Sequence, residues 1–151
     1  MKVRVDATRV TGLLDNTIKA LPEDIDRALA KTALAGIQVI EERTARGTGY
    51  LGKFAPYDPQ YARAKAQGWP RTNTRRAFGG DPSGIVNLTV HNEMLSSMAQ
   101  RRVSQGVREI YFTRATEARK AYYNNLKRKF FGFNQTEKRR LGQFFRKALL
   151  T

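Results

Sequence analysis

The sequence predicts an α+β fold: a long N-terminal helix and C-terminal helices packed on a small antiparallel sheet, with a long Gly/Pro-rich loop region. Three observations predict it. Apolar residues recur at three- and four-residue steps over about residues 22–45 and again beyond about residue 134, the spacing of helices with one buried stripe. Residues 2–9 and 107–112 instead alternate with a period of two, as half-buried strands do. Between these regions Gly47, Gly49, Gly52, Pro56, Pro59, Gly68, Pro70, Gly79, Gly80, Pro82 and Gly84 interrupt every periodicity, so residues 47–84 must be mostly loop. A chain of 151 residues makes one ordinary domain, 1–151, large enough to bury about 70% of the surface its unfolded form exposes.

Taken in order, the first strand sets Val3, Val5 and Ala7 against Lys2, Arg4 and Asp6. A polar stretch with Gly12 and Asn16 follows. At Leu21-Pro22-Glu23-Asp24 a proline in the first turn, with Glu23, Asp24 and Asp26 beside the positive end of the dipole, starts a helix. Ile25, Ala28, Leu29, Ala33, Gly36, Ile37 and Ile40 form its stripe, Arg43 and Arg46 lie near its negative end, and Gly47 can cap it. A short helix over about 58–67 takes Asp58 as N-cap and Pro59 as its first residue, with Tyr61, Ala62, Ala64 and Lys65 as helix formers. Arg71-Thr72-Asn73-Thr74-Arg75-Arg76 is a polar basic stretch of the kind that stays mobile until a partner orders it. Order resumes at Ile85–Val90, and Asn92–Met98 forms a brief helix with Met94, Leu95 and Met98 on one side. In the strand at 107–112, Val107 and Ile110 or Tyr111 compete for the inward face. Thr113 to Lys129 is helical. The last helix opens on Asn134-Gln135-Thr136-Glu137, a capping-box pattern, and sets Leu141, Phe144, Phe145, Ala148 and Leu149 against Lys138, Arg139, Arg140, Arg146 and Lys147.

Composition limits the chemistry. The chain has no cysteine and one histidine, His91, which excludes disulfides, thiolate metal sites, cysteine nucleophiles and any site needing two imidazoles. Lys and Arg number 28 against 13 Asp and Glu, a net charge of +15 that points to an acidic partner. Most of it belongs to residues 101–151, which carry 14 basic and 3 acidic residues. No apolar run approaches the ~20 residues of a membrane span, and Met1–Asp6 alternates charge with valine, unlike a signal peptide. The expectation is a soluble protein made in the cytoplasm, with no cofactor and no membrane.

Catalytic motifs are absent: no GxxxxGK[ST], HExxH, CxxC or GxSxG. Asp81-Pro82-Ser83 near His91 and Glu93 can be imagined as a hydrolytic group, but Asp-Pro-Ser is ordinary turn chemistry. A nucleic-acid-binding module is the stronger alternative. Lys127, Arg128 and Lys129 beside Phe130, Phe131 and Phe133 offer phosphate contacts and rings on which bases stack. The following helix needs apolar partners, so at least two of those rings are expected to be buried. Of Tyr122 and Tyr123, about 100° apart on a helix, one should face in and one out. Trp69, the only tryptophan, is either a pin for the loop region or an interface anchor.

Several short blocks, in order, carry a resemblance. They are Glu41-Glu42-Arg43-Thr44 ending the first long helix; Gly52-Lys53-Phe54-Ala55-Pro56-Tyr57 followed by Tyr61 and Lys65; Leu88-Thr89 with Met94-Leu95-Ser96-Ser97-Met98; and Lys129-Phe130-Phe131-Gly132-Phe133-Asn134-Gln135-Thr136-Glu137. Together, over about residues 30–150, they resemble the virion-morphogenesis proteins of tailed phages, the tail-completion or head–tail joining proteins. The chain differs at Asn92-Glu93, where the family often has Thr-Gly, and at Ala121-Tyr122-Tyr123-Asn124, where it often has a histidine. The resemblance implies a non-catalytic structural protein of the virion tail or neck. It also implies a homo-oligomeric ring, six-fold, around the DNA channel, with neighbouring neck and tail proteins as partners and non-specific DNA contact. Ring contacts are head-to-tail, so a charged face meets a different patch on its neighbour. The candidate interface or channel residues are Lys53, Phe54, Tyr57, Trp69, Arg71, Arg75, Arg76, Lys127, Arg128, Lys129, Arg139, Arg140, Arg146 and Lys147.

Overall fold

A computed structural model describes residues 2–6 and 22–150, with the side chains of residues 4–6 left out of the description. The expected polar stretch at Gly12 and Asn16, and the far end of the first strand, lie outside the described residues. The elements are β1 (Val3–Asp6), α1 (Pro22–Ala45), β2 (Thr48–Gly49), β3 (Gly52–Lys53), α2 (Pro59–Gln67), α3 (Glu93–Ser96), β4 (Met98–Ser104), β5 (Val107–Phe112), α4 (Ala115–Lys127) and α5 (Gln135–Leu149). The fold is α+β.

Helix α1 is the central element. Its predicted stripe is buried from Ala28 to Ile40, with Glu23 and Asp24 in the first turn. Gly47 follows at φ +76°, its N–H bonded to the Thr44 carbonyl, a turn that a Cβ would strain. One side of α1 meets an antiparallel sheet of order β1-β5-β4, registered by Val3 opposite Ile110 and Met98 opposite Phe112. Ile110 and Phe112 share the core with Ala33, Ile37 and Ile40, which settles the inward face of β5 in favour of Ile110. The other side of α1 meets α5, where Phe145 is enclosed with Ala28 and Leu29.

Strand β4 is absent from the sequence reading, for a physical reason. Only Met98 of its seven residues is buried, so no inward stripe marks it. Backbone bonding to β5 across the turn at Gly106, φ +73°, holds it instead. Ile85–Val90 is ordered but forms no strand; Val86 and Leu88 pack on the core from an irregular path.

Residues 47–84 carry the expected short helix together with strand pairing that the sequence does not predict. They contain the β2–β3 pair, helix α2 capped by Asp58 onto the N–H groups of Gln60 and Tyr61, and an antiparallel bridge from Trp69 to Phe78. The basic stretch 71–76 is thereby closed at its neck by internal bonds.

Arg43 corrects the simple picture of a cation near a helix end. It is 5% exposed, and its guanidinium donates to Glu137 Oε2 at 2.5 Å and to the carbonyls of Phe130 at 2.5 Å and Gly132 at 3.0 Å. Glu137 in turn accepts from the Asn134 N–H, while Asn134 accepts from the Glu137 N–H, completing the predicted capping box. The end of α1, the 130–132 turn and the start of α5 are therefore one hydrogen-bonded unit. Removing one partner of a buried ion pair strands the other, at a cost of about 3–5 kcal/mol. Arg43→Met should lower unfolding free energy in urea by that amount. Arg43→Met/Glu137→Gln, which keeps a capping residue and leaves no stranded charge, should recover part of it; equal loss in both proteins would contradict the stranded-charge account.

Candidate assembly surface

Two sequence-distant blocks meet at one end of the molecule. The Tyr50 N–H donates to the Lys129 carbonyl at 2.9 Å, and at Gly49 a Cβ would collide with that same carbonyl, so only glycine fits. Arg128 reaches back from the end of α4 and donates to the carbonyls of Ala55 and Pro56, each at 3.0 Å. Its guanidinium also lies 4.9 Å from the Tyr57 ring centre. Tyr57 then touches Tyr61 edge-on at 4.9 Å and accepts the Leu88 N–H at 3.0 Å; burial pushes its phenol above the ordinary value.

Next to this node Lys65 is buried. Its ammonium bonds Asn87 Oδ1 at 2.5 Å, pairs with Asp81 at 3.2 Å and lies 5.0 Å from the Tyr57 ring centre. Bonds from Ser83, then from Lys65 and Asn87, hold the Asp81 carboxyl well below the usual carboxylate range. Asp81 thus anchors the 81–88 segment to α2. Ser83 donates its N–H to Asp81 Oδ1 at 3.1 Å and accepts the Ile85 N–H on Oγ, the arrangement of a turn, while the His91 ring lies against Phe78 at 6.0 Å.

The candidate residues divide accordingly. Phe54, read from the sequence as an interface residue, is a core residue packed with Phe130 and Phe131. Arg128 is a clamp within the fold, and Tyr57 is half-buried beneath it. Trp69 is a pin: its ring centre lies 4.9 Å from that of Phe78 and its indole N–H donates to the Arg76 carbonyl at 3.0 Å. Arg75 lies over Trp69, and Arg76 pairs with Glu93. Arg71, Lys53 and Lys127 are exposed, while Lys129 is half-buried with its carbonyl bonded. Arg139, Arg140, Arg146 and Lys147 all lie exposed on α5.

Phe130 and Phe131 are buried, so the rings beside the basic run serve the core and not base stacking. Tyr122 and Tyr123 depart from expectation in the other direction: both are exposed, edge to face at 5.5 Å, because Ala118 and Ala121 take the inward positions of α4. Together with Leu126 they leave three large side chains more than half exposed on one helix, at 52%, 62% and 54%. Phe144, placed in the buried stripe by spacing, is also exposed and borders a groove of about 250 Å³ between α1 and α5, lined by Val39, Glu42, Glu137, Arg140 and Leu141 among others. The outer faces of α4 and α5 thus mix apolar side chains with cations. Sequence spacing marks the apolar stripe of α5 but not which of its members lie beyond the reach of α1.

No family model, curated protein or solved structure matches the chain. Among the described residues no helix is long and apolar enough to cross a membrane.

Asp26 titrates below its ordinary value because Arg108 bonds it, at 2.7 Å on Oδ2, and Asp81 does so for the reasons above. Carboxyls depressed in the folded chain stabilise it fully above the unfolded value of about 3.9 and lose that contribution as pH falls through the folded values. The melting temperature should therefore hold from neutral pH down to about pH 5 and fall steeply below about pH 4. Asp81→Asn should melt lower at neutral pH and show a shallower acid decline, measured by circular dichroism.

Proposed function

We propose that this chain is a structural virion protein of a tailed phage that completes the tail or neck and enables head–tail joining. In this reading it assembles as a ring around the DNA channel and performs no catalysis. The observation that carries the proposal is the composition of the outer faces of α4 and α5, where exposed Tyr122, Tyr123, Leu126 and Phe144 stand among cations. Interfaces are built from aromatic and apolar anchors with a polar rim, and large apolar side chains left together in water mark such surfaces. The packing of the blocks that carry the resemblance gives further support: Arg43 of Glu41–Thr44 bonds Glu137, and Arg128, next to Lys129, bonds the carbonyls of Ala55 and Pro56 in Gly52–Tyr57.

Deleting the gene should leave filled heads and free tails in electron micrographs of lysates of the phage that encodes it, and normal particles would refute the proposal. Added back, Arg139→Glu/Arg140→Glu/Arg146→Glu should melt like the wild type yet fail to restore joining, because those side chains face outward from α5. Full restoration would remove α5 from the joining surface.

A further inference from the structure

Between Asp58 and Asp81 the chain carries five basic residues and no acidic one. Lys65 is spent on Asp81 and Arg76 on Glu93, leaving Arg63, Arg71 and Arg75 without an ion-pair partner among the described residues. Arg71 and Arg75 belong to a loop whose residues 70–77 are all exposed. That loop is braced. Trp69 and Phe78 exchange backbone bonds of 2.9 Å in both directions, the Thr72 N–H donates to the Arg75 carbonyl at 2.8 Å, and the Arg75 N–H donates to Thr72 Oγ1 at 3.1 Å. The Arg75 guanidinium rests 4.9 Å from the Trp69 ring centre, which limits its rotamers. The expected mobile stretch is thus a preformed hairpin presenting arginines.

Its surface chemistry differs from that of α4 and α5. None of the exposed large apolar side chains lies between residues 69 and 80, so the loop has charge and hydrogen-bond donors but no apolar anchor for a protein partner. A phosphate backbone needs no such anchor, being met by guanidinium groups alone. The indole of Trp69 is already engaged by Arg75, Phe78 and the Arg76 carbonyl, so the loop offers no free platform for stacking the bases of a single strand.

We propose that the 69–78 hairpin binds the phosphate backbone of duplex DNA without reading sequence, with Arg71 and Arg75 as its principal phosphate contacts. The inference rests on the loop alone and stands independently of the tail-completion reading. It places DNA contact away from the basic C-terminal third, where net charge alone would put it.

Fluorescence anisotropy of a short random-sequence duplex, titrated between about 50 and 200 mM salt, tests it. Arg71→Gln/Arg75→Gln should lower the slope of log affinity against log salt by nearly 2, about 0.9 for each phosphate no longer neutralised. Arg139→Gln/Arg140→Gln removes the same charge from α5 and should leave the slope unchanged. Arg71→Gln alone, which breaks no hydrogen bond or ion pair among the described residues, should lower the slope by about 0.9 with an unaltered melting temperature. Equal effects of the loop and α5 variants on the slope would overturn the proposal. So would no duplex binding by the wild type, tighter binding of a single strand of equal length, or equal competition by polyglutamate.

Discussion

The buried guanidinium of Arg43 is the constraint on which the rest of the structure depends. It joins the end of α1 to two carbonyls of the 130–132 turn and to the carboxylate that caps α5. A planar fork with fixed donor directions does this where a lysine would satisfy one partner at a time. Because the turn is fixed, Phe130 and Phe131 enter the core and Lys129 presents its carbonyl to Tyr50. Arg128 is then held where it can bind the 55–56 carbonyls and cover Tyr57. One side chain in α1 thus sets the direction of α5 and the position of the segment after β3.

A second ion pair works at the opposite end of α1. Arg108 of β5 bonds Asp26 in the early turns of the helix and so fixes the sheet against it. With the packing of α1 on α5, in which Ala28 and Leu29 enclose Phe145, the long helix is tied at both ends to different layers. Apolar burial supplies the driving force, and these paired charges select one arrangement among those that bury similar area.

Elements with a local code were legible in the sequence. The Asp58-Pro59 start of α2 and the Asn134–Glu137 box of α5 lie where those residues predict, because a cap is satisfied within four residues, and α1 carries Glu23 and Asp24 in its first turn as predicted. What escaped depends on distant partners. Strand β4 owes its existence to β5 and has almost no buried face of its own, although the turn glycine at 106 was a usable signal. Arg43 looked like a helix-end cation because its carboxylate and carbonyls lie 87 or more residues away. At the candidate surface, the exposed cations of α5 were legible from periodicity. Phe54 and Arg128 were not, since a glycine-basic-phenylalanine run gives no indication of which side of a hairpin the core occupies.

The pairing of the acids within the chain supports the proposal of an acidic partner more firmly than net charge does. Asp26, Asp81, Glu93, Glu109 and Glu137 are all engaged by cations of the same chain, and among the described residues only Glu23, Glu42 and Asp58 of the acids are exposed. Among the described residues, copies of the chain therefore offer few exposed acids to neutralise one another. Two α5 faces brought together would repel, which disfavours a two-fold contact through that helix and favours, in the proposed ring, contacts between unlike faces. On that proposal the remaining cations are matched from outside the ring. Apolar-studded α4 and α5 suit an acidic protein surface, and the apolar-free hairpin suits a phosphate backbone. The two proposals thereby divide a single excess of charge, by what accompanies it on the surface, between two kinds of partner.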